Sequence, residues 1–180
     1  VDGDTLFAIG SNSKSFTAAV LGCLVDDGAL DWDEPVRDRL PTFRLHDDVA
    51  TAQMTARDLL CHRSGLPRHD LFWFATPRTR AELVTGLHYL EPTKPFRSTF
   101  QYQNLMFVAA GVLAEQVSGQ SWEELVASRI FAPLGMDRAN FSVDTMARDA
   151  NCALPYTDIG KATVRTVSYT HLTLPTSRSV

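Results

Sequence analysis

Apolar positions along the chain fall in short blocks, and most of the blocks repeat at helical spacing. Phe16, Ala19, Val20, Cys23 and Leu24 form one stripe, which predicts a helix after Gly10 that stops at Gly28. Leu105, Val108, Ala109, Val112 and Leu113 form a second, closed by Gly119. Between them, Asp33 is placed to cap a short helix with Pro35 in its first turn. Thr55 and Asp58 make a capping-box pattern for a helix running through Cys61 and His62, broken by Gly65-Leu66-Pro67. Pro77 to Leu90 predicts a further helix, and Ser121 with Glu124 opens one that ends by Pro133. The run Thr5-Leu6-Phe7-Ala8-Ile9 is short, apolar and partly β-branched, and reads as a buried strand leading into Gly10.

Composition narrows the class without naming a function. A chain of 180 residues is within the length of one domain, and 44% hydrophobic with 21% charged residues is ordinary for a globular protein. A net charge of −4, with no run of Lys and Arg, argues against a nucleic-acid partner. No apolar stretch approaches the roughly 20 residues of a membrane span. Cys23, Cys61 and Cys152 are too few and odd in number for a disulfide framework, and Cys23 reads as a small core residue. His46, His62, His69, His88 and His171 show no metal-ligand spacing, so no metal is expected. Cys61 beside His62 suggests a thiol nucleophile, but helical neighbours in sequence do not face each other.

Candidate chemistry sits at the starts of the two striped helices. Ser11-Asn12-Ser13-Lys14 is an S-x-x-K motif at a strand-to-helix turn, which puts Lys14 one turn on and on the same face as Ser11. A serine hydroxyl needs a base to become a nucleophile. Helix-end amides favour negative charge on the oxygen and disfavour the ammonium form of the lysine. Alone the motif is weak, since roughly half a match is expected by chance in such a chain. Downstream, Tyr102 and Asn104 lie on the loop entering the second helix. Tyr102 can act as a general base if nearby cations hold its phenolate, and Asn104 can hydrogen-bond a substrate amide. Taken separately, they read equally as a packed aromatic and a helix cap.

The two motifs in this order, with the text between them, resemble the serine β-lactamase and penicillin-binding-protein superfamily, in its class C β-lactamase-related branch. The resemblance covers about residues 5 to 156. It is carried by Phe7 through Ala18, by Leu24 through Leu30, by Asp33-Glu34-Pro35-Val36 and by Leu40-Pro41. Thr55 through Pro67 is similar to the signature T-x-x-x-L-L-x-H-x-S-G-L-P, and Phe131 through Met136 to F-x-P-L-G-M. It implies an α+β, β-lactamase/D,D-peptidase-like fold, of which this chain holds mostly the helical part with the nucleophile helix and little of the antiparallel sheet. Ser11 becomes the nucleophile, Lys14 the proton acceptor, Tyr102 its partner base and Asn104 a substrate-binding residue. His62 of the signature becomes a structural hydrogen-bonding residue. The implied activity is hydrolysis of an amide, ester or β-lactam carbonyl through an acyl-enzyme, on a small-molecule or peptide substrate and without a cofactor. Phe72, Trp73 and Phe74 are candidates for the pocket wall, with at least one of them in the core. The rival reading is a non-catalytic penicillin- or peptide-binding protein on the same fold. Gln103 departs from the family, which more often has serine or alanine there. The class A pattern of S-D-N with a carboxylate base is absent.

The end of the chain departs from that pattern. The family's third motif, K-T-G, K-S-G or H-x-G, has no match after Asn104, where the remaining lysine is Lys161 and the remaining histidine His171. Val167 through Thr176 reads as a sequencing-library adapter translated in one frame. Residues 1–166 are therefore expected to be part of a hydrolase domain and 167–180 a non-native tail. A chain so shortened is expected to be inactive. The resemblance implies a periplasmic or secreted protein, and the oligomeric state is not legible.

Overall fold

The structure, a computed structural model, describes residues 1–74, 76–159 and 162–165. The segment from Val167, expected to be a non-native tail, lies outside the described residues, as do Lys161 and His171.

Two long helices organise the molecule. A 3₁₀ turn, Gly10–Asn12, leads into α1 (Ser13–Asp26). Gly10 takes a φ of 51°, which lets the chain turn sharply into the helix. At the other end Gly28 takes a φ of 71°, and the N–H groups of Ala29 and Leu30 both return to the Leu24 carbonyl. The predicted stripe is rotated slightly. Lys14, Thr17, Val20, Leu21 and Leu24 are buried, whereas Ala19 is exposed and Cys23 half-buried. The face is set by what lies against it, the helix Leu105–Ser118.

Short helices fill the interval: α2 (Val36–Arg39), α3 (Asp48–Gln53), α4 (Ala56–Leu59), α5 (Asp70–Trp73) and α6 (Arg80–Thr85), the last continued by a 3₁₀ turn, Gly86–Tyr89. Thr55 and Asp58 form the expected capping box at α4, and Thr79 with Glu82 forms another at α6. Two expectations fail here. Asp33 does not cap α2, whose start is Pro35; its carboxylate instead takes two hydrogen bonds from Arg57. Nor does α4 run through His62. It ends at Leu59, and His62 adopts a φ of 57°, outside the helical region.

α7 (Leu105–Ser118) is the centre of the core. Every residue from Leu105 to Ala114 is buried, so this helix is apolar all round and is packed on all sides. α1, α4 and α6 all lie against it. Gly119, at a φ of 71°, terminates it as predicted. α8 (Trp122–Val126) follows from the Ser121–Glu124 capping box and runs on as a π turn, Ala127–Phe131. Arg80 joins α6 to both neighbours, donating to Glu115 at 2.6 Å and to Glu123 at 2.5 Å. Each large apolar side chain on α7 contributes about 1.5–3 kcal/mol by burial.

Sheet structure is sparse. After α9 (Val143–Ala147), strands β1 (Tyr156–Ile159) and β2 (Ala162–Arg165) pair antiparallel, with Tyr156 opposite Arg165. The Thr5–Ile9 run is not the buried strand predicted from its composition. Among the described residues only Leu6 makes a bridge, to Cys152, while Phe7 and Ile9 are 55% and 44% exposed. An apolar run becomes a strand when a partner takes its backbone groups; here Asn151 and Ala153 serve one residue. The mostly helical α+β architecture otherwise matches the β-lactamase/D,D-peptidase-like reading.

Candidate active site

Ser11 stands on the 3₁₀ turn just ahead of α1, and Lys14 lies one turn further on. Tyr102 comes from the loop before α7. The packing of α1 on α7 brings these three side chains together across 91 residues of sequence. Ser11 Oγ and Tyr102 Oη are 2.5 Å apart. Lys14 Nζ donates to Ser11 Oγ at 3.1 Å and to Tyr102 Oη at 2.6 Å. The three polar atoms thus form a closed triangle of hydrogen bonds. Ser13 and Ser15 are turned away from it: their hydroxyls donate backwards to the carbonyls of Gly10 and Asn12.

Environment changes the acid–base character of the pair. Burial lowers the Lys14 pKa from the ordinary lysine range; the bond to Tyr102 opposes this, and the Arg68 charge adds to it. The ammonium group also sits over the rings of Tyr102 and Phe107, at 4.7 and 5.4 Å from their centroids. For Tyr102 burial works against the phenolate. The hydrogen bonds of Lys14 and Ser11 and the charges of Lys14 and Arg68 outweigh it, and its pKa falls.

His62 supports the tyrosine. Its ring stacks on Tyr102 and touches Phe107 and Phe100. Its Nδ1 accepts the Gln103 N–H, and its carbonyl accepts that of Gln101. Burial and then the Lys14 charge hold its pKa below the usual histidine range. Cys61 points elsewhere, its thiol donating to the Arg57 carbonyl, so the two neighbours do not form a thiol–imidazole pair.

Asn104 occupies the cap position of α7 without capping it. Gln103, fully buried, does that work instead: its Oε1 accepts the Leu105 N–H at 2.8 Å and its Nε2 donates to the Pro67 carbonyl at 2.6 Å. Asn104 Oδ1 is buried and has no hydrogen-bond partner among the described residues. A buried amide oxygen left this way costs about 1–3 kcal/mol until a donor reaches it.

Of the three consecutive aromatics, Trp73 is in the core, Phe72 lies against Gly86 and Phe74 is partly exposed. Arg68 was not singled out by the motifs; a cation one residue past the signature's Leu66-Pro67 was the available signal. Among the described residues no cluster of His, Cys, Asp and Glu could hold a metal ion, and no helix is long and apolar enough to cross a membrane.

Comparison with known proteins places the chain as a whole. The chain is 37% identical over 153 residues to an unguisins hydrolase of Aspergillus campestris, covering 80% of this chain and 29% of that protein. It superposes on the octameric penicillin-binding protein homologue from Pyrococcus abyssi with a TM-score of 0.73 at 28% identity, covering 89% of this chain and 39% of that one. The D-amino acid amidase of Ochrobactrum anthropi, complexed with L-phenylalanine amide, gives a TM-score of 0.67 at 32% identity, with 87% and 44% covered. The chain thus spans about a third of the length of the curated relatives it matches. A family model described as Beta-lactamase matches residues 1–169. On fold, sequence and extent of match, the chain belongs to the Beta-lactamase family, within the superfamily of serine β-lactamases and penicillin-binding proteins.

Proposed function

We propose that the protein is a serine hydrolase that works through an acyl-enzyme on an amide, ester or β-lactam carbonyl. The observation that carries this is the triangle of Ser11 Oγ, Lys14 Nζ and Tyr102 Oη. Ser11 Oγ attacks the carbonyl carbon while its proton passes to the Lys14–Tyr102 pair. The same pair returns that proton to the leaving nitrogen or oxygen as the carbonyl bond to it breaks. Water, deprotonated by the pair, then releases the acyl group and restores Ser11. The backbone N–H of Ser11 is one donor to the oxyanion, worth about 2.7–4 kcal/mol in comparable sites. Asn104, whose Oδ1 is buried without a partner among the described residues, is the residue assigned to hydrogen-bond the substrate amide. Among the similar proteins, the unguisins hydrolase supports hydrolysis and the D-amino acid amidase supports an amide as the bond cleaved.

Intact-mass and peptide mapping of the protein, expressed from its complete gene and treated with a fluorophosphonate or a penicillin, tests this reading. The adduct is expected on Ser11 and is expected to vanish in Ser11→Ala. An adduct on Ser13, Ser15 or Cys61 would overturn the assignment. An adduct on Ser11 that never turns over, with any substrate, would favour the binding-protein reading.

A further inference from the structure

Arg68 stands beside the triangle without touching its polar atoms. It follows Pro67 on the loop ahead of α5. Its guanidinium carbon lies 5.1 Å from the centroid of the Tyr102 ring, and its Nε donates to Asp70 Oδ2 at 2.7 Å. His69, at a φ of 47°, turns the chain so that Asp70 comes back onto Arg68. The loop itself is registered from the other side. Gln103 Nε2 holds the Pro67 carbonyl, so residues 67 and 68 lie alongside residues 103 and 102. Serine or alanine at 103, as the family more often has, could not span that gap.

We propose that Arg68 is a positioning residue for the proton-accepting pair: its guanidinium, steered by Asp70 and registered by Gln103, favours the phenolate of Tyr102 and the neutral amine of Lys14. A cation over an aromatic face is attracted by the ring, and more strongly when the ring carries negative charge. The same positive charge disfavours a second cation nearby, which is Lys14. The two effects act in one direction, toward a pair ready to take the serine's proton. Both also follow from the electrostatics of the site, where Arg68 lowers the pKa of Tyr102 and of Lys14. The groups facing Tyr102 are Lys14 and Ser11 from the start of α1, His62 from the loop after α4, and Arg68 with its partner Asp70. His62 is held toward its neutral form by burial. Asp70 offsets part of the Arg68 charge, and solvent screens more, since Arg68 is 58% exposed. The influence is therefore modest in size. This inference rests on the proposed roles of Ser11, Lys14 and Tyr102.

The test is the rate of acylation by a fluorophosphonate as a function of pH, for the parent, Arg68→Lys and Arg68→Gln, each expressed from the complete gene. In Arg68→Gln the acid limb of the profile is expected to move up by about 0.5–1 pH unit, so that acylation on that limb slows by about three- to tenfold while the alkaline plateau is kept. Arg68→Lys is expected to lie between parent and Arg68→Gln. A profile for Arg68→Gln that superposes on the parent overturns the proposal. So does a uniform loss at every pH, which would make the arginine a packing residue. Ser11→Ala separates the two levels: labelling that persists there refutes the nucleophile, whereas its loss beside an unmoved Arg68→Gln profile refutes the role of Arg68 alone.

Discussion

The ring of His62 lies stacked on the ring of Tyr102, centroids 4.6 Å apart and 30° between planes, while its Nδ1 takes the N–H of the very next residue at 3.0 Å. One side chain thus fixes both the face of the tyrosine and the backbone that carries it. His62→Ala removes the stack and leaves the Gln103 N–H without its acceptor. A loss of about 1–3 kcal/mol in stability is expected, with slower labelling of Ser11. His62→Asn tolerates the positive φ and can accept the same N–H, so it should recover part of the stability without the stack. Urea unfolding of both variants, alongside their labelling rates, checks this; equal stability of His62→Ala and parent would refute it.

Tyr102→Phe keeps the ring, and so the stack on His62, but removes Oη from the triangle. We expect kcat to fall by about a hundred- to ten-thousand-fold with little change in KM, because the lost interaction matters most in the transition state. Steady-state kinetics on a chromogenic ester or amide decides it. A change in kcat below about threefold would place Tyr102 in a packing role.

Lys14→Met should stabilise the fold while abolishing turnover. Burial disfavours the lysine's ammonium in the native state, so its native pKa lies below that of the unfolded chain. Between those two values the unfolded chain binds more protons, and stability of the parent rises with pH. The gain from removing the charge, about 0.5–2 kcal/mol, is therefore largest below the native pKa and shrinks as pH climbs toward the ordinary lysine range. Thermal unfolding across neutral and alkaline pH reads this directly. A gain that grew with pH would show that the site stabilises the cation.

Gly65 has no room for a side chain. Its φ is 86°, and a Cβ built there would collide with the Lys94 carbonyl oxygen. That close approach lets the Gly65 carbonyl take the N–H groups of Thr93 and Lys94, which pins the loop ahead of Tyr102. Gly65→Ala should cost more than about 2 kcal/mol, read as a fall in the denaturant midpoint without a change in slope. A midpoint within error of the parent would contradict the approach.

Much of the site could be read from the chain because its parts are local. Gly10, Ser11 and Lys14 need only a turn and one helical repeat to share a face, and the stripe from Leu105 to Leu113 fixes where Tyr102 and Asn104 enter the core. The capping boxes at Thr55 and Ser121 are likewise three-residue patterns. What was missed depends on distant partners. Thr5–Ile9 looks like a strand by composition, but strand formation is decided by a neighbour, and among the described residues only Leu6 finds one. The role of Gln103, a departure from the family in sequence, is not legible there because its tie to Pro67 spans 36 residues. Arg68 matches no motif, and its place over Tyr102 follows from that same tie.

Ser11 and Tyr102 are 91 positions apart and are joined by no short-range clasp; their meeting depends on α1 lying against α7. Parting these two helices therefore parts the serine from the tyrosine. Reactivity and cooperative folding are therefore lost in a single opening, not in sequence. Hydrogen exchange at the amides of α7 should report the same event that silences the serine. A covalent probe for Ser11 then doubles as a measure of how much of the population is folded, and a change at a deep α7 residue such as Leu113 becomes a change in labelling without any alteration of the chemistry.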